Sequence, residues 1–501
     1  MNSAPISLDR LPLDPAERLS RWYWPTFVLV VVILCVPIVA TTYHPLVDYP
    51  NHLARAYILH DYDRLEIFQR HYVVSRQIVP NLAIDLIVPT LLGLMTWKSA
   101  SILFLCLVVV VFVLGCHYLG AAIHRRPTWL AIPSMFFVYN SAFLYGYVNY
   151  VFGLGCFAIA LGYWLPRRHR WTAGRLALAA FLTSCAYVSH LAAFTFLVLA
   201  FGSIRAWDVW KRDEPLGPVA TSLLPLAPGL LLYSSQIARQ GGAGGIQWNT
   251  LSGKLVAMLP LVLTYDRRFD LVYVLILVGL CGVLLRMQRR EGPVAVIWPT
   301  FLAGMVLFAF LIVSPKGMLT GSGADARFFV PAALLVLLSV RLRLPTRVAM
   351  ALFVAALALF SARVGAIWHT WQDLDAQIAE QVSLFSVLPI GARVYPAFPS
   401  PDVVSLSKTE RSLEHAISLA TITRRAVVLS QFAIPGQQPV LFRTAPRFVL
   451  IHDTSDDWTA SLGDAEYVWS YSVPPSAWET LTERCVPIAS RGGFTIWWVK
   501  R

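Results

Sequence analysis

A chain of 501 residues, 57% hydrophobic and 14% charged with a mean hydropathy of +0.60, lies outside the soluble range, where about a quarter of residues carry charge. That composition excludes a soluble enzyme, a disordered protein and a disulfide scaffold. The net charge of +13 comes from basic residues in short turns between apolar runs, the pattern of loops facing an anionic leaflet, so the bilayer is the expected partner and nucleic acid is not.

In chain order, a polar tail (1–23) precedes a first apolar run with no small-residue cleavage site after it. The tail is therefore expected to be cytoplasmic and the run to be a retained span. Apolar runs at 24–42, 99–121, 129–147, 149–166, 175–188, 191–203, 216–234, 270–286, 294–314, 328–340 and 346–367 give about eleven crossings of a roughly 30 Å hydrocarbon layer. The turns that this count puts inside are all basic: 124–126, 167–170, 205–212, 286–290 and 341–347. The agreement requires the stretch 79–97 not to cross, and Asp85 and Pro89 within it point to a helix at the outer surface.

Four segments then face outward: 41–98, 236–270, 314–327 and everything after 368. The last alternates β-type runs (392–395, 448–452, 467–471, 494–499) with helical ones (373–388, 413–426, 476–484). The expected fold is a mainly α-helical polytopic membrane protein with a C-terminal extracytoplasmic α/β domain. It divides into the tail 1–23, a transmembrane part 24–367 with a long first outer loop 41–98, and the domain 368–501. Six of the seven cysteines lie inside apolar runs and only Cys485 in the polar tail, which leaves no structural disulfide in the outer part and no zinc spacing.

Chemistry concentrates just after the first span. His44, Asp48, Asn51, His52 and Arg55 fall within a dozen residues at a membrane interface. Pro50 suits a first helical turn and Asp48 can cap it, which is the purely structural reading. On such a helix Asn51 and Arg55 share a face, His52 is adjacent and Asp48 sits at the start, so all can address one cavity. Further along the outer side, Lys316 and Arg327 flank a loop with three glycines, and Arg239, Arg267 and Arg268 offer weaker cationic alternatives. Asp325 is placed to pair with Arg327 or Lys316, and snorkelling at a span end is the plain alternative for Arg327. His190, at an outer turn, is a polar group at costly depth. The Gly-rich stretch 239–249 matches no phosphate loop and reads as a lid or a linker. Acid pairs of the kind that hold a divalent cation are sparse, so metal dependence stays open and no metal ligand is assigned.

An acid directly after span one, a proline-bearing surface helix before span two, about eleven spans and a C-terminal outer α/β domain together resemble the C-type (GT-C) membrane glycosyltransferases, which include protein mannosyltransferases and the aminoarabinose transferase. Relatives carry Asp-Glu or Asp-Asp where this chain has Asp48-Tyr49, so the second acid must come from elsewhere; Asp61, Asp63 and Asp85 are candidates, with His52 as an alternative. The resemblance implies an enzyme of the bacterial inner membrane that moves a sugar, with inversion, from a polyprenyl-phosphate carrier to a lipid, polysaccharide or protein acceptor at the outer face. In that setting Asp48 is the general base, and His44, Asn51, His52, Arg55, His190, Arg239, Lys316 and Arg327 are substrate-binding candidates. A transporter of lipid-linked sugars or other solutes and a non-catalytic component of an envelope polysaccharide complex are the competing readings. The first predicts inverted repeats and mid-span polar residues, the second a closed outer face beside Asp48.

Overall fold

The computed structural model describes residues 16–212, 215–240, 245–292, 294–317, 323–399, 407–451 and 456–500, leaving out the side chains of 16–21, 212, 236–240 and 456–457. Seven helices among these are long and apolar enough to cross a membrane: Trp22–Val39, Trp97–His124, Val148–Arg167, Leu191–Lys211, Leu216–Ser235, Arg267–Glu291 and Thr346–Val387. Four of the eleven expected spans coincide with shorter apolar helices, Ala131–Leu144, Ala173–Ser189, Trp298–Val313 and Ala326–Leu338. About eleven crossings were expected; seven full-length helices and four short ones stand at those places, so a count of eleven is not confirmed. At 1.5 Å per residue, the short ones fall below the roughly 30 Å of a hydrocarbon core. Ala131–Leu144 is also broken at Asn140, whose side chain accepts from the Phe143 amide instead of continuing the turn.

The helix Ala83–Leu92 covers 10 residues, about 15 Å, too short to cross. Asn149 anchors its start by accepting from the Ile84 amide and donating to the Asn81 carbonyl. We label Tyr49–Asp61 α1 and Ala83–Leu92 α2. The two are clamped by Arg55 and Asp85: Nε donates to Oδ1 at 2.7 Å and Nη2 to Oδ2 at 2.8 Å, with both side chains buried. A planar guanidinium matches a carboxylate in this two-pronged way, and the pair must be complete because either half alone would be an uncompensated buried charge.

Thr346–Leu384 is one helix of 39 residues. It runs without a break through position 368 and carries the chain from the bundle directly into the C-terminal region. Among the described residues the strands are, in chain order, β1 Tyr72–Val74, β2 Ala295–Val296, β3 Val340–Arg341, β4 Arg393–Ala397, β5 Val427–Val428, β6 Val440–Phe442, β7 Tyr467–Tyr471, β8 Cys485–Arg491 and β9 Phe494–Val499, and in the C-terminal region five of them form a sheet of order β5-β4-β7-β9-β8. β4 pairs in parallel with β5 and β7, and β9 is antiparallel to β7 and β8. The expected run 448–452 contributes only an isolated bridge from Ile451 to Pro399, and His452 lies outside the described residues. The expected helix 413–426 divides into a 3-10 turn, Ala416–Ser418, and a short helix, Leu419–Arg424.

This domain is tied to the first outer loop. Tyr72–Val74 (β1) pairs antiparallel with Val440–Phe442 (β6). Asn51 in α1 donates to the Ser430 carbonyl at 3.0 Å and accepts from the Phe432 amide at 2.8 Å and the Gln431 side chain at 2.7 Å. Arg55→Ala, which strands Asp85, is expected to destabilise the protein by about 3–5 kcal/mol, whereas Arg55→Met with Asp85→Leu should come within about 1–2 kcal/mol of the parent. Thermal unfolding in detergent compares them, and equal losses in the two variants would contradict the clamp.

Candidate active site

Asp48 occupies the N-cap position of α1, yet its side chain makes no capping hydrogen bond, and among the described residues its carboxylate accepts none at all. The structural use of this acid is thus not taken up. The backbone around it is fixed instead: the Asp48 amide donates to the Tyr145 carbonyl at 3.0 Å and the Val47 amide to Leu144 at 3.3 Å. Gly146 makes that approach geometrically feasible. Its φ is +85°, and a Cβ there would lie 2.8 Å from the Asp48 nitrogen and 2.7 Å from that of Tyr49, so any larger residue would push the turn off the acid. Tyr49 hydrogen-bonds Ser101 Oγ at 2.9 Å and fixes the other side.

The C-terminal region closes over this carboxylate. His415 Nε2 lies 3.7 Å from Asp48 Oδ1. Burial lowers the His415 pKa to about 4, so the imidazole is neutral and the contact is not an ion pair. Glu414 is its neighbour in the chain. Burial raises the Asp48 pKa to about 7, the Glu414 charge adds to the rise and Arg327 opposes it. Glu414 is itself pushed up by burial against the pull of Arg411. A neighbouring like charge disfavours the ionised form of a carboxyl, which is how Glu414 acts on Asp48. Asp48 nevertheless keeps 20% of its side chain exposed, enough for a reacting group to reach it.

Arg327 faces the same carboxylate from the bundle side. Its guanidinium lies 5.3 Å from the centre of the Tyr147 ring, its carbonyl accepts from the Tyr150 hydroxyl at 2.6 Å, and its buried Nε has no hydrogen-bond partner. The acid expected to neutralise it is engaged elsewhere. Asp325 pairs with Lys254, Nζ to Oδ2 at 2.8 Å, and accepts from Asn249 at 3.1 Å and the Ala326 amide at 2.8 Å. This corrects the expected Asp325 partner. Lys254 also donates to the Leu311 and Ser314 carbonyls, the natural place for a cation at the end of helix Trp298–Val313. Arg327 therefore retains a guanidinium with no acidic partner among the described residues.

His190 stands beside Arg327. The Ala192 amide donates to its Nδ1 at 3.1 Å, which puts the ring proton on Nε2. Burial and the Arg327 charge both lower its pKa well below the ordinary value, so it is a neutral donor. His52, buried edge-on to Phe432, also has its pKa well below the ordinary value, first through burial and then through the Arg55 charge. The Nδ1 atoms of His52 and His415 are both buried without a hydrogen-bond partner.

The remaining candidates lie elsewhere. Asn51 is used up in docking residues 430–432, and Arg55 in the clamp to Asp85. His44 hydrogen-bonds the Ile38 carbonyl at 3.0 Å and Ser101 Oγ at 3.2 Å, so it fastens the end of the first span. Lys316 is exposed. Arg239 belongs to the helix Ala227–Gln240, but its side chain lies outside the described residues, as do positions 241–244 of the Gly-rich stretch. No group of three or more His, Cys, Asp or Glu side chains among the described residues is arranged to hold a metal ion.

A cavity of about 20 Å3, room for about one water, opens next to Val47, and Asp48 is not in its lining. It is lined by Val47, Tyr145, Lys408 and Arg411 among others. Glu414 and His415 were missed in the sequence, where the sign was an ionisable pair set into the apolar run from Leu413 to Ala420.

No family model and no curated protein matches this chain. Two crystal structures share its fold over almost the whole length. ArnT from Cupriavidus metallidurans bound to undecaprenyl phosphate aligns with a TM-score of 0.50 at 11% identity, covering 95% of this chain and 98% of that one. The apo state of the same protein aligns with a TM-score of 0.51 at 11% identity, covering 96% and 98%. The chain thus shares the fold of ArnT.

Lys254→Ala is expected to cost about 3–5 kcal/mol by leaving Asp325 buried and unpaired. Unfolding in detergent measures it, and a loss below about 1 kcal/mol, the size of an exposed pair, would contradict the assignment.

Proposed function

We propose that this chain is a membrane glycosyltransferase that moves a sugar from a polyprenyl-phosphate carrier to an acceptor hydroxyl at the outer face of a bacterial inner membrane. The observation that carries the reading is a part-buried carboxylate with no hydrogen bond, poised near neutrality, with an acid-free arginine facing it. The bound undecaprenyl phosphate of the ArnT structure supports the class of carrier.

In the proposed step the acceptor oxygen forms a bond to the anomeric carbon as that carbon's bond to the carrier phosphate breaks. The bonding pair leaves with the phosphate, and the acceptor proton passes to Asp48. A single displacement inverts the anomeric centre and needs only one carboxylate as base, because the phosphate leaves without an acid. Arg327 and the Nε2 proton of His190 supply positive charge and a donor where the phosphate charge develops, which is where binding energy lowers the barrier. A pKa of about 7 makes Asp48 a stronger base than an ordinary carboxylate while leaving much of it ionised.

His415 lies 3.7 Å from the Asp48 carboxylate, so the proposal requires the segment from Lys408 to Phe432 to withdraw during turnover. Without that movement, the closed face would favour the non-catalytic reading.

Two predictions follow from this chemistry. Asp48→Asn, in membranes given a labelled polyprenyl-phosphate sugar, should lower transfer by about 10²–10⁴-fold; undiminished transfer removes Asp48 from the mechanism. The rate in the parent should rise as pH increases through about 7, because the protonated form cannot accept a proton. Glu414→Gln removes a like charge and should move this limb to lower pH, and Arg327→Gln removes a cation and should move it to higher pH. Shifts of the same sign in both variants would contradict the arrangement.

A further inference from the structure

A cavity of about 1670 Å3 lies at the end of the bundle away from Asp48. Arg125 follows the far end of helix Trp97–His124, whose near end carries the Ser101 that holds Tyr49. Arg167 likewise follows the far end of helix Val148–Trp164, and Arg341 lies in a two-residue strand. All three line the mouth of the cavity. No Asp or Glu is among the residues lining it. Arg168, also at the mouth, is committed to Asp208 at 2.7 Å. Arg125, Arg167 and Arg341 have no carboxylate partner among the described residues, and Arg167 lies flat over the Tyr163 ring at 4.2 Å.

Behind this basic mouth the walls are apolar, formed by Tyr273 and Leu277 on helix Arg267–Glu291 and by Phe353 and Phe360 on helix Thr346–Leu384. The lining runs from 273 to 284 on one helix and from 349 to 360 on the other, about 16 Å at 1.5 Å per residue. One turn beyond Phe360, Arg363 donates to the Tyr139 and Leu263 carbonyls, between the shaft and the Asp48 side. The depth is about half of a roughly 30 Å hydrocarbon layer, the length of one leaflet.

We infer that this cavity binds an anionic phospholipid of the leaflet at that end, with its phosphate among Arg125, Arg167 and Arg341 and an acyl chain between the two helices. Positive charge with no acid to neutralise it selects a phosphate headgroup, and the one-leaflet depth selects an acyl chain over a longer prenyl chain. The site is separate from the Asp48 chemistry and does not depend on it.

The test is native mass spectrometry of the detergent-purified full chain, titrated in turn with dioleoylphosphatidylglycerol and dioleoylphosphatidylcholine. The parent should retain the glycerol lipid in clear preference. Arg125→Gln with Arg341→Gln should lose most of that preference, about fivefold per arginine. Phe353→Trp, which fills the shaft and leaves the charge intact, should weaken both lipids, and Asp48→Asn should bind as the parent does. Equal retention of the two lipids by the parent, or an unchanged preference in the double arginine variant, would overturn the site. Displacement of the glycerol lipid by an equal concentration of undecaprenyl phosphate would overturn the assignment to a phospholipid.

Discussion

A carboxylate taken out of water without a hydrogen bond is expensive, and it persists only where the surrounding structure holds it. Asp48 is held in this way. The Gly146 turn grips its backbone from the bundle side and Tyr49 locks to Ser101, while His415 of the C-terminal region lies against the carboxylate. The cost is offset by docking bonds elsewhere on α1, chiefly those of Asn51 to residues 430–432. The same helix therefore carries the reactive group at its start and its supports one and two turns further on, with Arg55 fixing it to α2.

The charges around the site follow a consistent division. Arg55 and Lys254 are buried with partners and serve the fold. Arg327 lacks an acidic partner because Lys254 has taken Asp325, and that displacement turns an interfacial anchor into a cation available to a phosphate. Burial keeps His415, His52 and His190 neutral, so near neutral pH they add hydrogen-bonding capacity to the pocket without adding charge. The C-terminal domain is consequently part of the site, and its pairing of β6 with β1 in the first outer loop couples its position to that of Asp48.

Much of this was legible in the sequence, where hydrophobic length and period dominate. The apolar runs located the long helices, and strands 467–471 and 494–499 were placed to the residue because alternating aromatic and β-branched side chains mark them. Asp48 stood out because an acid beside a membrane has few structural uses. The span count is unconfirmed at four short helices, one of them broken at Asn140 for a local reason that an apolar average does not register. Asn51 and Arg55 lie one turn apart on the helix that Asp48 starts, but partners far along the chain claim them. Glu414, His415 and Lys254 were invisible for the same reason: their meaning depends on which distant segment they meet, and a six-residue helix such as Leu251–Val256 leaves almost no periodic trace.

The protonation of Asp48 itself is the most direct measure of the constraint on which the chemistry rests. Infrared titration of the full chain, with the carboxyl band of Asp48 identified by its loss in Asp48→Asn, should give a midpoint near 7. A midpoint near 4, the ordinary aspartate value of about 3.9, would mean that the C-terminal segment does not cover the acid in solution and would contradict its role as a poised base.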